Sequence, residues 1–214
     1  MENVNEVIEG CIKGDGKSQE ILYKAFYPKM FGMCMRYAKN TELAKDLLQE
    51  GFIKVFANIN KYSKLGSIEG WVRRVILNHV LEQYRKNKKH RLMIDRNVRV
   101  DGDETINERN SHIGKCVEIT EHNEYLIEKS AEETYASNID MSVDDLMSEV
   151  QKLTPRLRTV FNLYVVDDYC HKDIAKMLGV SESQSKCCLL RARAKLQARL
   201  IPMIKKINIA HIKN

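Results

Sequence analysis

Asp173-Ile174-Ala175-Lys176-Met177-Leu178-Gly179-Val180-Ser181 decides the fold, because it reads as the end of one short helix, a tight turn and the cap of the next. Gly179 is able to take the positive φ that stops a helix without a Cβ penalty, and Ser181 is suited to cap the helix that follows. Gln184 stands three residues after Ser181, the spacing of a capping box. Ile174, Ala175, Leu178, Val180, Leu189 and Ala192 then form a small shared core, with Ala175 letting the two helices approach. The motif is a helix-turn-helix. It leaves Ser183, Gln184, Lys186, Cys187, Leu190 and Arg191 on or near the outer face of the second helix, where side chains meet base edges and phosphates. The plainer reading of Lys186, Arg191, Arg193 and Lys195 is a solvated cationic face, and basic residues of such a helix often grip phosphate rather than read bases.

Outward from this motif, apolar residues recur at three and four positions rather than two, and only three prolines occur, Pro28, Pro155 and Pro202. The chain is therefore expected to be all-α. Around the motif, helices are expected over residues 143–153, 155–166, 171–178 and 182–201. In the N-terminal half they are expected over 5–12, 18–37, 41–60 and about 70–85. Gly14-Asp15-Gly16 separates the first two, and Thr41 is the expected cap of the third. Leu43, Ala44, Leu47, Leu48, Phe52, Val55, Phe56 and Ile59 follow the helical period of the third helix, and Trp71, Val75, Ile76, Val80 and Leu81 that of the fourth. Residues 61–69, with Tyr62, Ser63, Gly66 and Ser67, have the chemistry of a loop. From 90 to 140 the period fades, apart from a short helix around 125–135, and a flexible linker is expected. Two small helical domains, 1–89 and 141–214, thus flank the linker 90–140.

Charge is distributed in the same three parts. Residues 1–60 carry eight basic and eight acidic side chains, 61–100 eleven against three, and 151–214 thirteen against four. The intervening 101–150 holds fourteen acidic and three basic residues. Two basic lobes imply two contacts with a polyanion, and the acidic segment between them should stay off it. Intramolecular attraction would also let that segment compete with DNA for the lobes, where a merely solvated tether would not. No run approaches the length of a membrane span, and Glu2, Glu6 and Glu9 stand where a signal peptide would be basic and then apolar. A cytoplasmic protein with no membrane insertion is expected. Cys11, Cys34, Cys116, Cys170, Cys187 and Cys188 have no Cys-x-x-Cys spacing, so reduced, structural cysteines are expected, with no metal site and no cofactor.

The helix beginning at Thr41 has a second face that its core does not need. Asp46, Gln49, Glu50 and Ile53 fall at i, i+3, i+4 and i+7, an acidic strip with an apolar member that suits a protein partner. Taken alone, a solvated face explains it equally well.

Arg36-Tyr37, Ala44, Asp46-Leu47, Gln49-Glu50, Phe52, Phe56, Tyr62, Trp71, Asn78 and Arg85-Lys86 resemble conserved region 2 of the sigma-70 family of RNA polymerase sigma factors. Leu153-Thr154-Pro155, Arg158, Val160-Phe161, Ile174-Ala175, Leu178-Gly179-Val180-Ser181, Lys186 and Arg191-Ala192-Arg193 resemble its region 4. Order and spacing are those of the two-domain extracytoplasmic-function (ECF) branch. The resemblance implies a sigma factor, which is not an enzyme. Its partners would be core RNA polymerase (β′ clamp helices and β flap), promoter DNA and an anti-sigma factor. It implies that Asp46, Gln49, Glu50 and Ile53 bind the β′ clamp helices. It also implies that Tyr62, Ser63, Lys64, Arg73, Arg74, Asn78, Arg85 and Lys86 engage the −10 element, with Trp71 holding the 61–69 loop. Ser183, Gln184, Lys186, Cys187, Leu190 and Arg191 would read the −35 element. The chain departs from the family pattern at Ile68, Glu82, Asp168, Cys170, Ser183, Cys187 and Cys188. Asp168 stands where Gly is usual, and Cys170 in place of Ser weakens a helix cap.

Two other functions compete. A polymerase-independent helix-turn-helix regulator explains the C-terminal half but gives the acidic strip no use. An enzyme finds no support, since His79, His90, His112, His122, His171 and His211 make no metal-ligand spacing and no nucleophile or nucleotide motif is present.

Overall fold

The structure, a computed structural model, describes residues 4–94 and 142–212. The described residues are helical, without strands, and fall into two units. The N-terminal unit comprises α1 (Val4–Ile12), α2 (Gly16–Tyr37), α3 (Thr41–Asn58), a 3₁₀ turn (Ile59–Lys61) and α4 (Ile68–Ile94). The C-terminal unit comprises α5 (Val143–Gln151), α6 (Pro155–Phe161), a π-helical turn (Asn162–Val166), α7 (His171–Leu178) and α8 (Glu182–Ile212). Most of the expected linker and the short helix around 125–135 lie outside the described residues.

In the N-terminal unit, α3 packs between α2 and α4, and α1 closes against α2. Leu22, Phe26, Met30 and Met33 of α2 meet Ala44, Leu48, Phe52 and Val55 of α3 and Val72, Ile76, Leu77 and Leu81 of α4 in a buried core. A Cβ at Gly51 would lie 3.1 Å from both Cγ atoms of Ile76, so the glycine lets α3 and α4 come together. Side-chain caps set the helix starts: Asp15 accepts from Ser18 N at 2.9 Å, and Asn40 from Leu43 N at 2.9 Å. Asn40, not Thr41, is therefore the cap of α3, since its amide oxygen reaches the third residue on and Thr41 is already helical. Leu43 also departs from its expected core position: it is 41% exposed on the first turn of α3.

The C-terminal unit folds α6, α7 and α8 around Leu157, Val160, Leu163, Ile174, Leu178, Leu189, Ala192 and Leu196. Gly179 ends α7 at φ 64°, and Ser181 and Gln184 make the reciprocal pair of hydrogen bonds of a capping box, at 3.1 and 3.2 Å. Ala175 and Val180 are only half-buried, so the shared core is narrower than its pattern suggested. Cys170 at the start of α7 makes no side-chain cap; its Sγ–H is directed to Asp173 Oδ2 at 3.2 Å.

Three expected boundaries move by more than two residues. α4 continues to Ile94, beyond the expected start of the linker, and α8 continues through Pro202 to Ile212. Pro202 is exposed, so water can serve the carbonyl that loses its amide partner. The helix expected over 155–166 changes at Asn162 to a π-helical turn, closed by Asp167 N donating to Asn162 O at 3.0 Å. Asp168 then adopts φ 56°, the left-handed conformation for which glycine is usual. Asp168→Gly is expected to stabilise this unit by up to about 1 kcal/mol in urea titrations, the relief of the Cβ strain exceeding the added chain entropy.

Candidate polymerase and nucleic-acid interfaces

The acidic strip of α3 is a surface. Asp46, Gln49 and Glu50 are exposed, and Ile53 is 61% exposed beside them. Leu43, three residues before Asp46, extends the same face. An exposed isoleucine and leucine among carboxylates offer a partner both apolar contact and charge, which a purely solvated face would not need.

Packing of α4 fixes one member of this strip. Glu50 Oε2 accepts from Gln83 Nε2 at 2.9 Å and lies 3.0 Å from His79 Nε2, while the carboxylate itself stays half exposed. His79 and Gln83 were not anticipated as parts of this face; four residues apart on α4, they carry no signal until α4 is laid against α3. Nearby, Glu82 lies between Lys54 and Lys86, whose ammonium groups hold its carboxyl at about 2.

His79 is 2% exposed, and its pKa is lowered chiefly by burial and next by Lys54, against the opposite pull of Glu50 and Glu82. The unfolded imidazole titrates near about 6.5, so the folded unit binds fewer protons than the unfolded chain just below that pH. His79's contribution to stability is therefore complete above that value and lost as pH falls through the lower folded one. A melting series between pH 7 and 5 should show declining stability, and His79→Gln should flatten the decline.

The expected −10 residues separate into groups. Tyr62 O–H donates to Gly66 O at 2.5 Å, and its ring lies 5.8 Å from that of Trp71, which is half-buried. These contacts brace the loop that presents Ser63, Lys64 and Leu65, the last 92% exposed. On α4, Arg74, Asn78 and Arg85 are exposed and share one stripe, because about 100° per residue returns positions 4 and 11 on to nearly the same direction. Lys86 points off this stripe and pairs with Glu82 at 3.2 Å. Arg73 turns away from it too, and its guanidinium donates to Asp167 of the C-terminal unit.

On α8, Ser183, Lys186 and Arg191 are exposed on the outer face of the helix-turn-helix. Cys187 and Leu190 are half-buried, so they offer edges rather than whole side chains. Gln184 is exposed, but its amide oxygen is occupied by Ser181 N, which makes it part of the cap. Lys186 lies 3.6 Å from Glu182, an exposed pairing that leaves the ammonium able to exchange to another anion. Arg193, half-buried, and Lys195, exposed, follow on the same helix. Among the described residues, no cluster of His, Cys, Asp and Glu could hold a metal ion, and no helix is long and apolar enough to cross a membrane.

Comparison with known proteins matches both units. Residues 22–90 match Sigma-70 region 2 and residues 144–196 match Sigma-70 region 4, together more than half of the chain. The ECF RNA polymerase sigma factor SigW of Bacillus subtilis is 22% identical over 197 residues, which is 92% of this chain and 96% of that protein. The RNA polymerase sigma-H factor of Pseudomonas aeruginosa is 21% identical over 206 residues, 96% of this chain and 98% of that protein. Among solved structures, the sigma factor RpoE in complex with the anti-sigma factor NepR from Bartonella quintana aligns at 16% identity with a TM-score of 0.46, covering 85% of this chain and 95% of that one.

Proposed function

The chain belongs to the sigma-70 family, in its ECF branch, and from that membership we propose that it binds core RNA polymerase and directs initiation at specific promoters. The observation that carries the proposal is the ordered pair of surfaces. An exposed acidic and apolar strip lies on the region 2 unit, and a capped, basic helix-turn-helix lies on the region 4 unit.

In this reading residues 1–89 form the region 2 domain, 90–140 the linker and 141–214 the region 4 domain. Asp46, Gln49, Glu50 and Ile53 meet the β′ clamp helices, and the region 4 unit meets the β flap. The braced loop of Ser63 and Lys64 takes a base of the −10 element out of its stack. Arg74, Asn78 and Arg85 then track the backbone behind it, the combination of pocket and basic groove that single-stranded DNA requires. Ser183, Lys186 and Arg191 enter the major groove at the −35 element, with Cys187 and Leu190 making apolar contact. The chain itself catalyses no reaction and works in the cytoplasm, where the polymerase supplies the chemistry. An anti-sigma factor is a further partner to test.

Transcription in vitro with core enzyme on fragmented genomic DNA tests the proposal and reveals the promoter together. Transcripts starting at fixed sites only when the chain is added are the expected result. A chain that binds DNA but neither joins the core enzyme in a pull-down nor directs any start would remove it.

A further inference from the structure

The π-helical turn and the left-handed Asp168 put one side chain where the helix-turn-helix does not need it. Asp167 carries a carboxylate that is 1% exposed, and Arg36 and Arg73, with which it forms ion pairs, both belong to the other unit. Arg36 Nη2 donates to its Oδ1 at 3.3 Å, Arg73 Nη2 donates to the same oxygen, and the Tyr37 hydroxyl donates to Oδ2. Two further side chains of the C-terminal unit reach the end of α2: Asn162 Nδ2 donates to Arg36 O at 2.7 Å, and Gln151 Nε2 to Met35 O at 3.1 Å. The polar part of the contact centres on one carboxylate.

From this arrangement we infer that the free chain is latched shut by Asp167, which withholds Arg73 from DNA and must release before both promoter elements are engaged. This inference rests on the function proposed above for the two units. A guanidinium whose Nη2 donates to a buried carboxylate is neutralised in part and held in that direction, so the closed state engages one of the basic groups next to the −10 surface. The closed state is also incompatible with double engagement. Elements named −10 and −35 lie roughly 25 base pairs apart, about 85 Å at the rise of B-DNA, and a duplex that short resists folding back. Units in contact with each other do not span that distance. The forty-seven residues between Ile94 and Ser142 do, with a contour of about 150 Å.

The contact is also built to open. Beside apolar side chains that are continuous between the units, it carries five hydrogen bonds and ion pairs, a polar share typical of interfaces whose domains move relative to each other. Arg36 Nε and Asn162 Oδ1, both buried at the contact, find no protein partner there, so separation costs less than a fully paired interface would. Breaking the latch is coupled to binding. Any partner that prefers the separated units, polymerase or extended DNA, draws the equilibrium open by its differential affinity.

The test uses the full chain, with Asp167→Ala as the opening variant. Asp144→Ala, at an exposed position of α5, is the control for the same change in net charge. Hydrogen exchange of the amides in 33–38 and 162–169 should quicken at least about tenfold in Asp167→Ala and not in the control, with an increased radius of gyration by X-ray scattering and unchanged helicity. Binding of a short mixed-sequence single-stranded DNA should be severalfold tighter than for the control, and adding Arg73→Ala should remove the gain. If Asp167→Ala fails to fold, Tyr37→Phe with Arg36→Gln loosens the same carboxylate from the other side, with the same expected exchange and radius. Unchanged exchange and radius in a folded variant overturn the latch, and opening without a gain in DNA binding overturns the withholding of Arg73. Transcription with core enzyme is measured in parallel. A chain that opens as expected but never directs transcription disproves the proposed function and leaves the latch standing.

Discussion

Asp46→Lys combined with Glu50→Lys is expected to abolish binding to core polymerase while leaving the helices intact. Both carboxylates are exposed on α3, one turn apart, so the change replaces an acidic strip by a basic one without touching Leu47, Leu48 or Phe52 beneath it. Losing one member of a charge pair at an interface commonly costs about 2–5 kcal/mol, and reversal adds repulsion to that loss. Two reversals should therefore weaken binding by far more than about a hundredfold. Glu50→Lys also places an ammonium near Lys54 and the buried His79, so Asp46→Lys alone, which touches neither, should show a smaller loss with no change in melting temperature. Binding is read by anisotropy of the labelled chain titrated with core enzyme, and folding by circular dichroism. Wild-type affinity in the folded double variant would falsify the assignment of this face to the polymerase. Ile53→Ala supplies the apolar arm of the same test, because an exposed isoleucine removed from a solvated face changes nothing, whereas one removed from an interface centre is felt.

The second large effect is expected on α8. Arg191→Ala should cost about 1–3 kcal/mol on the preferred −35 sequence if the guanidinium meets a base, and should weaken all sequences alike if it meets phosphate. Arg191 is exposed and one helical turn beyond Cys187, so its removal leaves the packing of Leu189 and Ala192 alone. Lys186→Ala is expected mainly to reduce the salt dependence, since its ammonium trades Glu182 for a phosphate as a point charge. Measuring affinity for the selected promoter and for a scrambled duplex over a salt series separates the two cases. Undiminished transcription by the double alanine variant would remove α8 as the reading helix.

Much of the architecture was legible in the residues. Gly179, Ser181 and Gln184 specify a turn and a cap by their own stereochemistry, and the structure has both the positive φ and the reciprocal hydrogen bonds. The helical period placed α3 and α4, and the exposed strip Asp46, Gln49, Glu50 and Ile53 followed from the same period, because a core claims only one side of a helix. Local signals failed where a competing neighbour won. Thr41 and Asn40 are both capping residues, and only the backbone geometry chose between them. Leu43 fits the apolar period but sits on the first turn of α3, where no helix covers it.

Sequence by itself thus determined the all-helical class, the two units and the chemistry of their surfaces, since caps, turns and periodicity act over a few residues. Only the tertiary structure decided which side chains of distant elements meet. Gln83 holds Glu50 beside the His79 imidazole because α4 crosses α3, and Trp71 braces Tyr62 because the loop folds back on α4. Arg73 faces Asp167 across 94 positions of chain, through a π-helical turn that no local pattern announced. Such pairings depend on how helices pack, and a side chain's propensity says nothing about a partner it reaches only after the chain has folded.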